Sequence, residues 1–189
     1  MRLTSEQMLG HWRRYRRLVP ERADCSIELF DGINTDIRLA MEMRSWYLEL
    51  LDNGDLRHLV LTDIAPRLKL TSVYSGVWQC RLPADVRRVA GISLAGAASE
   101  VVPVCGDPGN RFKTLCTNRY SRPDTAFPAA HISDSGMMTL YCAGTASPPV
   151  PEAVMAVVDP GDEEYVFNDS ALALLYGAGN SYHEESDIQ

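Results

Sequence analysis

The sequence predicts an α+β fold, with N-terminal helices packed on an antiparallel β-sheet or sandwich, a long loop or arm, and a short C-terminal helix. Three observations predict it. Apolar residues recur at helical spacing up to about residue 53, the pattern becomes extended from about Leu70, and one short helical segment returns after residue 168. Like elements are grouped rather than alternating, which argues against a parallel α/β sheet. The chain has 189 residues, 46% hydrophobic and 23% charged, which suits one α+β domain able to close a core without disulfides or metal. Within it, residues 1–69 read as a helical part, 70–160 as a β-rich part and 161–189 as a short helix with an acidic tail.

The first helix begins near Ser5, because Thr4-Ser5-Glu6-Gln7 has the form of a capping box. Met8, Trp12 and Tyr15 follow at helical spacing, and Pro20 is the expected stop. After a loop through Asp31-Gly32, Asn34 is the expected N-cap of a second helix over about 35–53, stopped by Gly54. Its apolar residues, Ile37, Leu39, Met41, Met43, Trp46, Tyr47, Leu50 and Leu51 among them, cover more than one narrow face. Such a helix needs cover on several sides, from its own domain or a neighbouring subunit. A short amphipathic segment from Leu56 to Ile64 follows and is broken at Ala65-Pro66.

Val77–Leu82 and Val86–Leu94 read as strands around a turn at Pro83-Ala84-Asp85, and Val101–Val104 as an edge strand because of Pro103. The turn-rich stretch from Cys105 to Ala126 reads as a long loop or arm. Asp134-Ser135-Gly136 between two apolar runs predicts a hairpin. A Pro-rich linker over 146–151 leads to a last strand, Ala153–Val158, and Asn168 or Asp169 caps a helix through Tyr176, ended by Gly177 and Gly179.

The net charge of −7 is unevenly spread. Residues 1–22 carry +4, with Arg13, Arg14, Arg16 and Arg17 clustered in the last turn of the first helix, whereas residues 152–189 carry −9 with no Lys or Arg. Helix-dipole complementarity accounts for part of the Arg cluster; contact with a partner, nucleic acid or another copy is the alternative use. No apolar run reaches the roughly 18 to 20 residues of a membrane span, and the N-terminal Arg cluster interrupts any signal-peptide pattern, so a soluble, non-exported protein is expected. Five cysteines without a C-x-x-C pair point to reduced, mostly buried thiols; a Cys105–Cys116 bridge is the less favoured reading.

Chemistry-bearing patterns are sparse. His11, His58, His131 and His183 lie far apart, with Asp55 three residues ahead of His58 reading as an ordinary ion pair, and no metal-ligand spacing occurs. Gly91–Gly96 and Gly177–Gly179 lack the phosphate-loop lysine, and Ser135 is not in a G-x-S-x-G elbow. Neither a cofactor nor a metal is expected. A small hydrolase using Cys105, His131 or Ser135 ranks third among the functional readings.

Three segments carry a family likeness: Arg44-Ser45-Trp46-Tyr47-Leu48-Glu49-Leu50-Leu51 leading to Asp63-Ile64-Ala65, Leu82-Pro83-Ala84-Asp85-Val86 ahead of a strand, and Asn118-Arg119-Tyr120-Ser121-Arg122-Pro123 ahead of a hairpin. Over roughly Ile33 to Leu140 the series resembles neck ring or head-to-tail connector proteins of tailed bacteriophages, including crAss-like phages. Its near-exclusive use of Arg, with Lys only at Lys69 and Lys113, departs from that host group. The resemblance implies a non-enzymatic virion structural protein, made in the host cytoplasm, that forms a ring of identical subunits between portal and tail. Other neck or tail proteins would be partners, genomic DNA would pass with weak contact, and no membrane is involved. The interaction residues expected on this reading are Arg13, Arg14, Arg16, Arg17, Trp46, Arg119, Glu163 and Glu164. The strands over 77–158 taken alone support a second reading, a soluble β-rich binding or interaction module.

Overall fold

The computed structural model describes residues 1–16, 35–118, 120–144 and 147–181. They fall into two compact units, one made of Met1–Val60 with Asp159–Gln189 and the other of Leu61–Val158. Helices and antiparallel strands are both present, so the α+β class holds.

The first unit joins the two ends of the chain. Strand β1 (Arg2–Thr4) runs directly into α1 (Ser5–Tyr15). The capping box forms as expected: the Gln7 amide donates to Thr4 Oγ1 at 3.3 Å, and the Thr4 amide donates to Gln7 Oε1 at 3.0 Å. The helix ends at Arg16, whose amide donates to the Trp12 carbonyl. The expected stop at Pro20, the Asp31-Gly32 loop and the Asn34 cap lie outside the described residues. Helix α2 (Thr35–Asn53) buries Leu39, Met43, Tyr47, Leu50 and Leu51 along one face, and the Gly54 amide bonds back to the Leu50 carbonyl. Of its other apolar residues, Ala40, Trp46 and Leu48 are half-buried, and Ile37 and Met41 are exposed.

Near the other end of the chain, β10 (Glu164–Val166) pairs antiparallel with β1, setting Leu3 opposite Tyr165. The N-terminal ammonium donates to the Phe167 carbonyl at 2.8 Å. Tyr47 sits fully buried between these parts, its ring 4.8 Å from Tyr165 and 6.1 Å from Phe167. Helix α4 (Asp169–Ser181) continues through Gly177 and Gly179 instead of ending at Tyr176. A glycine inside a helix costs about 1 kcal/mol relative to alanine but leaves the hydrogen-bond ladder intact, so it weakens a helix without stopping it.

The second unit is a two-sheet sandwich. One sheet orders β2 (Leu61–Asp63), β9 (Pro151–Val158) and β5 (Val86–Leu94), all antiparallel. The other orders β3 (Thr71–Tyr74), β4 (Val77–Arg81), β8 (Met137–Tyr141), β7 (Ala129–Ile132) and β6 (Val104–Cys105), antiparallel except for β6 beside β7. Val89, Ile92, Val154 and Ala156 of the first sheet share a buried cluster with Trp78, Cys80, Met138 and Leu140 of the second. Period-2 alternation puts these residues on the inner faces, with the β-bulge between Val89 and Gly91 bringing Val89 to the same face as Ile92. Asp63 ties the smaller sheet together by accepting the Val154 amide at 2.8 Å and the Ala65 amide at 2.9 Å, which holds its carboxyl below the usual range.

Three local readings are corrected. The Leu56–Ile64 segment is a single 3₁₀ turn, Leu56–His58, followed by strand β2. The Val101–Val104 strand divides: Val101 bridges to Ile92, whereas Val104 starts β6 beside β7. The long arm contains a helix, α3 (Gly109–Thr117), which the surrounding turn residues masked because none of its side chains is buried. Strands β1, β2, β3 and β10 have three or four residues each, too few to give a period.

Candidate interaction surface

The segment from Val102 to Phe127 leaves the edge of the five-stranded sheet, makes one helix and returns to β7. At its start Asp107 accepts the Gly109 amide at 3.1 Å and the Lys113 ammonium at 3.2 Å, fixing the first turn of α3 and keeping the carboxyl below its ordinary range. Phe112 holds the helix to the outer face of the sheet, edge-on to Tyr141 at 5.8 Å and 6.2 Å from the His131 ring. The His131 Nε2–H donates to the Gly106 carbonyl at 2.6 Å, anchoring the base of the arm to β7. Beyond α3, Asn118 and Asp124 each accept amides of the next two or three residues, forming Asx turns that shape the return.

This framework leaves apolar side chains facing outward. Tyr120 is 92% exposed and Val102 74%, with Leu115 and Phe127 also exposed. Pro108, Arg111, Phe112, Thr114, Leu115 and Ser121 line an open depression beside α3. Arg111, Lys113 and Arg122 are exposed on the same arm. An anchored framework presenting aromatic and basic residues is suited to contact with another macromolecule.

The expected interaction residues are distributed differently. Arg13 pairs with Asp36 at 2.6 Å, and Arg16 pairs with Glu42 at 2.6 Å while its guanidinium lies over Trp12. Trp46 is half-buried, its ring 5.7 Å from Trp12. Arg14 is exposed; Arg17 and Arg119 lie outside the described residues. Glu164 faces Arg2 at 3.5 Å, and exposed Glu163 contributes its carbonyl to the Ser5 amide. Arg44 holds Asp159 at 2.6 Å and Asp162 at 2.9 Å. The opposed charges of the two chain ends therefore meet in part within one molecule. Glu184, Glu185 and Asp187 of the tail lie outside the described residues.

A consequence separates the clustered arginines. Arg16→Ala should lower thermal stability slightly, within about 1 kcal/mol for a half-exposed ion pair, whereas Arg14→Ala, which breaks no ion pair among the described residues and loses only its share of the helix-dipole interaction, should cost less. Paired thermal melts check this, and equal shifts would contradict it.

Residues considered for nucleophilic chemistry are not assembled. The register pairs His131 with Val104 and Cys105 with Ile132, so His131 and Cys105 point to opposite faces. Ser135 Oγ is 2.8 Å from Ser133 Oγ in the β7–β8 turn. Cys105 and Cys116 are unbridged, Cys80 and Cys142 are buried, and burial pushes the Cys80 thiol up to about 11. Cys25 lies outside the described residues. His58 bonds Ser170 Oγ at 2.8 Å, while Asp55 takes Arg57, which draws its carboxyl down to about 2. Among the described residues no group of three His, Cys, Asp or Glu is placed to hold a metal ion, and no helix is long and apolar enough to cross a membrane.

Sequence reasoning singled out the arm but not Leu115, Tyr120 or Phe127 as its outward groups. The available signal was apolar residues within a turn-rich stretch, where burial had no obvious source. No family model matches the chain, and no curated protein matches its sequence.

Proposed function

We propose that this chain is a non-enzymatic structural protein of a tailed bacteriophage, assembling as a ring of identical subunits in the neck, between portal and tail. The carrying observation is the anchored arm with its outward Val102, Leu115, Tyr120 and Phe127. A monomer gains nothing by ordering such residues against solvent, whereas a ring subunit buries them against its neighbour. The exposed Ile37 and Met41 of α2 add a second surface of the same kind.

The arm's Arg111, Lys113 and Arg122 suit a passage for DNA. Three scattered cations within an acidic chain give weak, salt-sensitive contact, which lets a genome slide during ejection. The Leu82-Pro83-Ala84-Asp85 element that carries the family likeness forms the β4–β5 connection, with Asp85 paired to Arg67 at 2.6 Å.

Native mass spectrometry of the full chain, alone and with the portal of the same virus, tests the proposal. The expected result is a closed multiple of the 21.0 kDa subunit in at least one condition. A monomer in both overturns it. If Leu61–Val158 expressed alone folds and binds a soluble ligand while the whole chain stays monomeric, the β-rich binding module replaces it.

A further inference from the structure

We propose that a second copy of this chain docks edge to edge on the five-stranded sheet, the β3 edge of one subunit against the β6 edge of the next, as the joint of the ring; this rests on the ring reading above. Strands β3 and β6 are the two outer strands of that sheet. All four residues of β3 and both of β6 are exposed. A single side-chain row crosses the sheet: Thr71 pairs with Gln79, Gln79 with Thr139, Thr139 with His131 and His131 with Val104. That row gives both edges a common ruler.

Above the row lies charge. Continuing the β3–β4 register sets Lys69 opposite Arg81, which pairs with Met137. Both cations are exposed and have no ion-pair partner among the described residues. At the same level on the other edge lie Gly106, Asp107 and the β7–β8 turn with Asp134, whose Oδ1 is 3.5 Å from where a Gly106 side chain would start. Asp107 is shared with Lys113, and Asp134 is exposed without a partner among the described residues. The nearby Arg67 and Asp85 neutralise each other.

Below the row lies apolar surface. Tyr74 pairs with Val77, Val77 with Tyr141, and Tyr141 with Ala129. Val102 falls at that level on the β6 side, two residues before Val104. Tyr74 is 60% exposed and Val73 is also exposed. Counting directions across the sheet, β6 runs opposite to β3, so the two edges meet as an antiparallel pair. A copy shifted along the sheet then sets Lys69 and Arg81 against Asp107 and Asp134, and Val73 and Tyr74 against Val102. Charge meets opposite charge and apolar meets apolar in one placement.

The backbone sets a limit on this contact. The Gly106 amide bonds inward to the Ile132 carbonyl, so by alternation the Cys105 amide points outward, and Pro103 has none to offer. Side chains therefore carry most of the joint, and an edge with few donors resists open-ended sheet growth. Two different edges meeting head to tail generate a ring when the rotation per step closes.

The test uses the full chain, with circular dichroism and melting confirming each variant folds. Lys69→Glu with Arg81→Glu should weaken self-association about tenfold or more at low salt, Asp134→Lys should act in the same direction, and all three together should restore it. In a Cys105→Ala background, Thr71→Cys combined with Val104→Cys, which share one side-chain row, should form a reducible ladder of multimers under mild oxidation that neither single cysteine gives. A ring indifferent to the charge changes and without the cross-link overturns the edge joint and leaves the ring standing. A monomer at every concentration and with portal overturns both.

Discussion

Tyr47→Ala is expected to destabilise the unit built from the two chain ends by about 3 to 5 kcal/mol, the range for truncating a buried aromatic side chain. The ring is fully buried against Tyr165 and Phe167, so truncation leaves a cavity where α2 meets the segment around β10. The hydroxyl is a second link, because it donates to the Val166 carbonyl at 3.1 Å and accepts the Val166 amide at 2.9 Å. Tyr47→Phe keeps the ring and strands both backbone groups, for a loss of about 1 to 3 kcal/mol. Chemical denaturation followed by tryptophan fluorescence separates the two, since Trp12 and Trp46 report on this unit and Trp78 on the sandwich. A loss below 1 kcal/mol for Tyr47→Ala would contradict the packing.

The same residue gives an alkaline signature. Burial pushes the Tyr47 hydroxyl up to about 12 from an unfolded value near 10. A group that keeps its proton longer when folded contributes stability fully present below pH 10, and that contribution is lost as pH rises toward 12. Tyr165 shifts upward too, again mainly from burial, so Tyr47→Phe should reduce the alkaline loss without abolishing it.

Gly76→Ala should cost the sandwich about 3 kcal/mol, combining a left-handed backbone with a collision. Gly76 makes the β3–β4 turn at φ +77°, and a Cβ there would lie 2.8 Å from the Ala143 Cα. That neighbour is backbone and cannot swing away, and the Gly76 carbonyl already accepts the Cys142 amide at 2.8 Å. Gly96→Ala is the matched comparison: φ is +82° but nothing lies within 4 Å, so only the strain of about 1 kcal/mol remains. Thermal unfolding of both variants checks the difference. Equal losses would mean that the contact with Ala143 contributes nothing. Because Gly76 adjoins β3, a weakened turn should also impair the proposed edge contact.

Legibility in the sequence followed the range of the physical signal. Capping is local, so Thr4 and Gln7 announced α1 to the residue, and Gly54 marked the end of α2. Alternation over five to nine residues made β4, β5, β8 and β9 readable. Helix α3 was not, because its side chains are not buried and burial is what imprints a period. Charge summed by segment correctly exposed two opposed chain ends. Its use could not be read, since Arg13 with Asp36 and Arg44 with Asp159 are pairs 23 and 115 residues apart.

The sequence by itself determined the α+β class, the first helix with its capping box, the central strands and the absence of the sequence patterns of common catalytic sites, because each depends on neighbours within a few turns or one strand. Tertiary structure alone decided that the chain ends form one unit around Tyr47, that two sheets share one core, and that Lys69 with Arg81 lie at one sheet edge level with Asp107 and Asp134 at the other. Those facts depend on strand order, and order is set by how the apolar faces of distant segments find each other. No window of sequence contains that information.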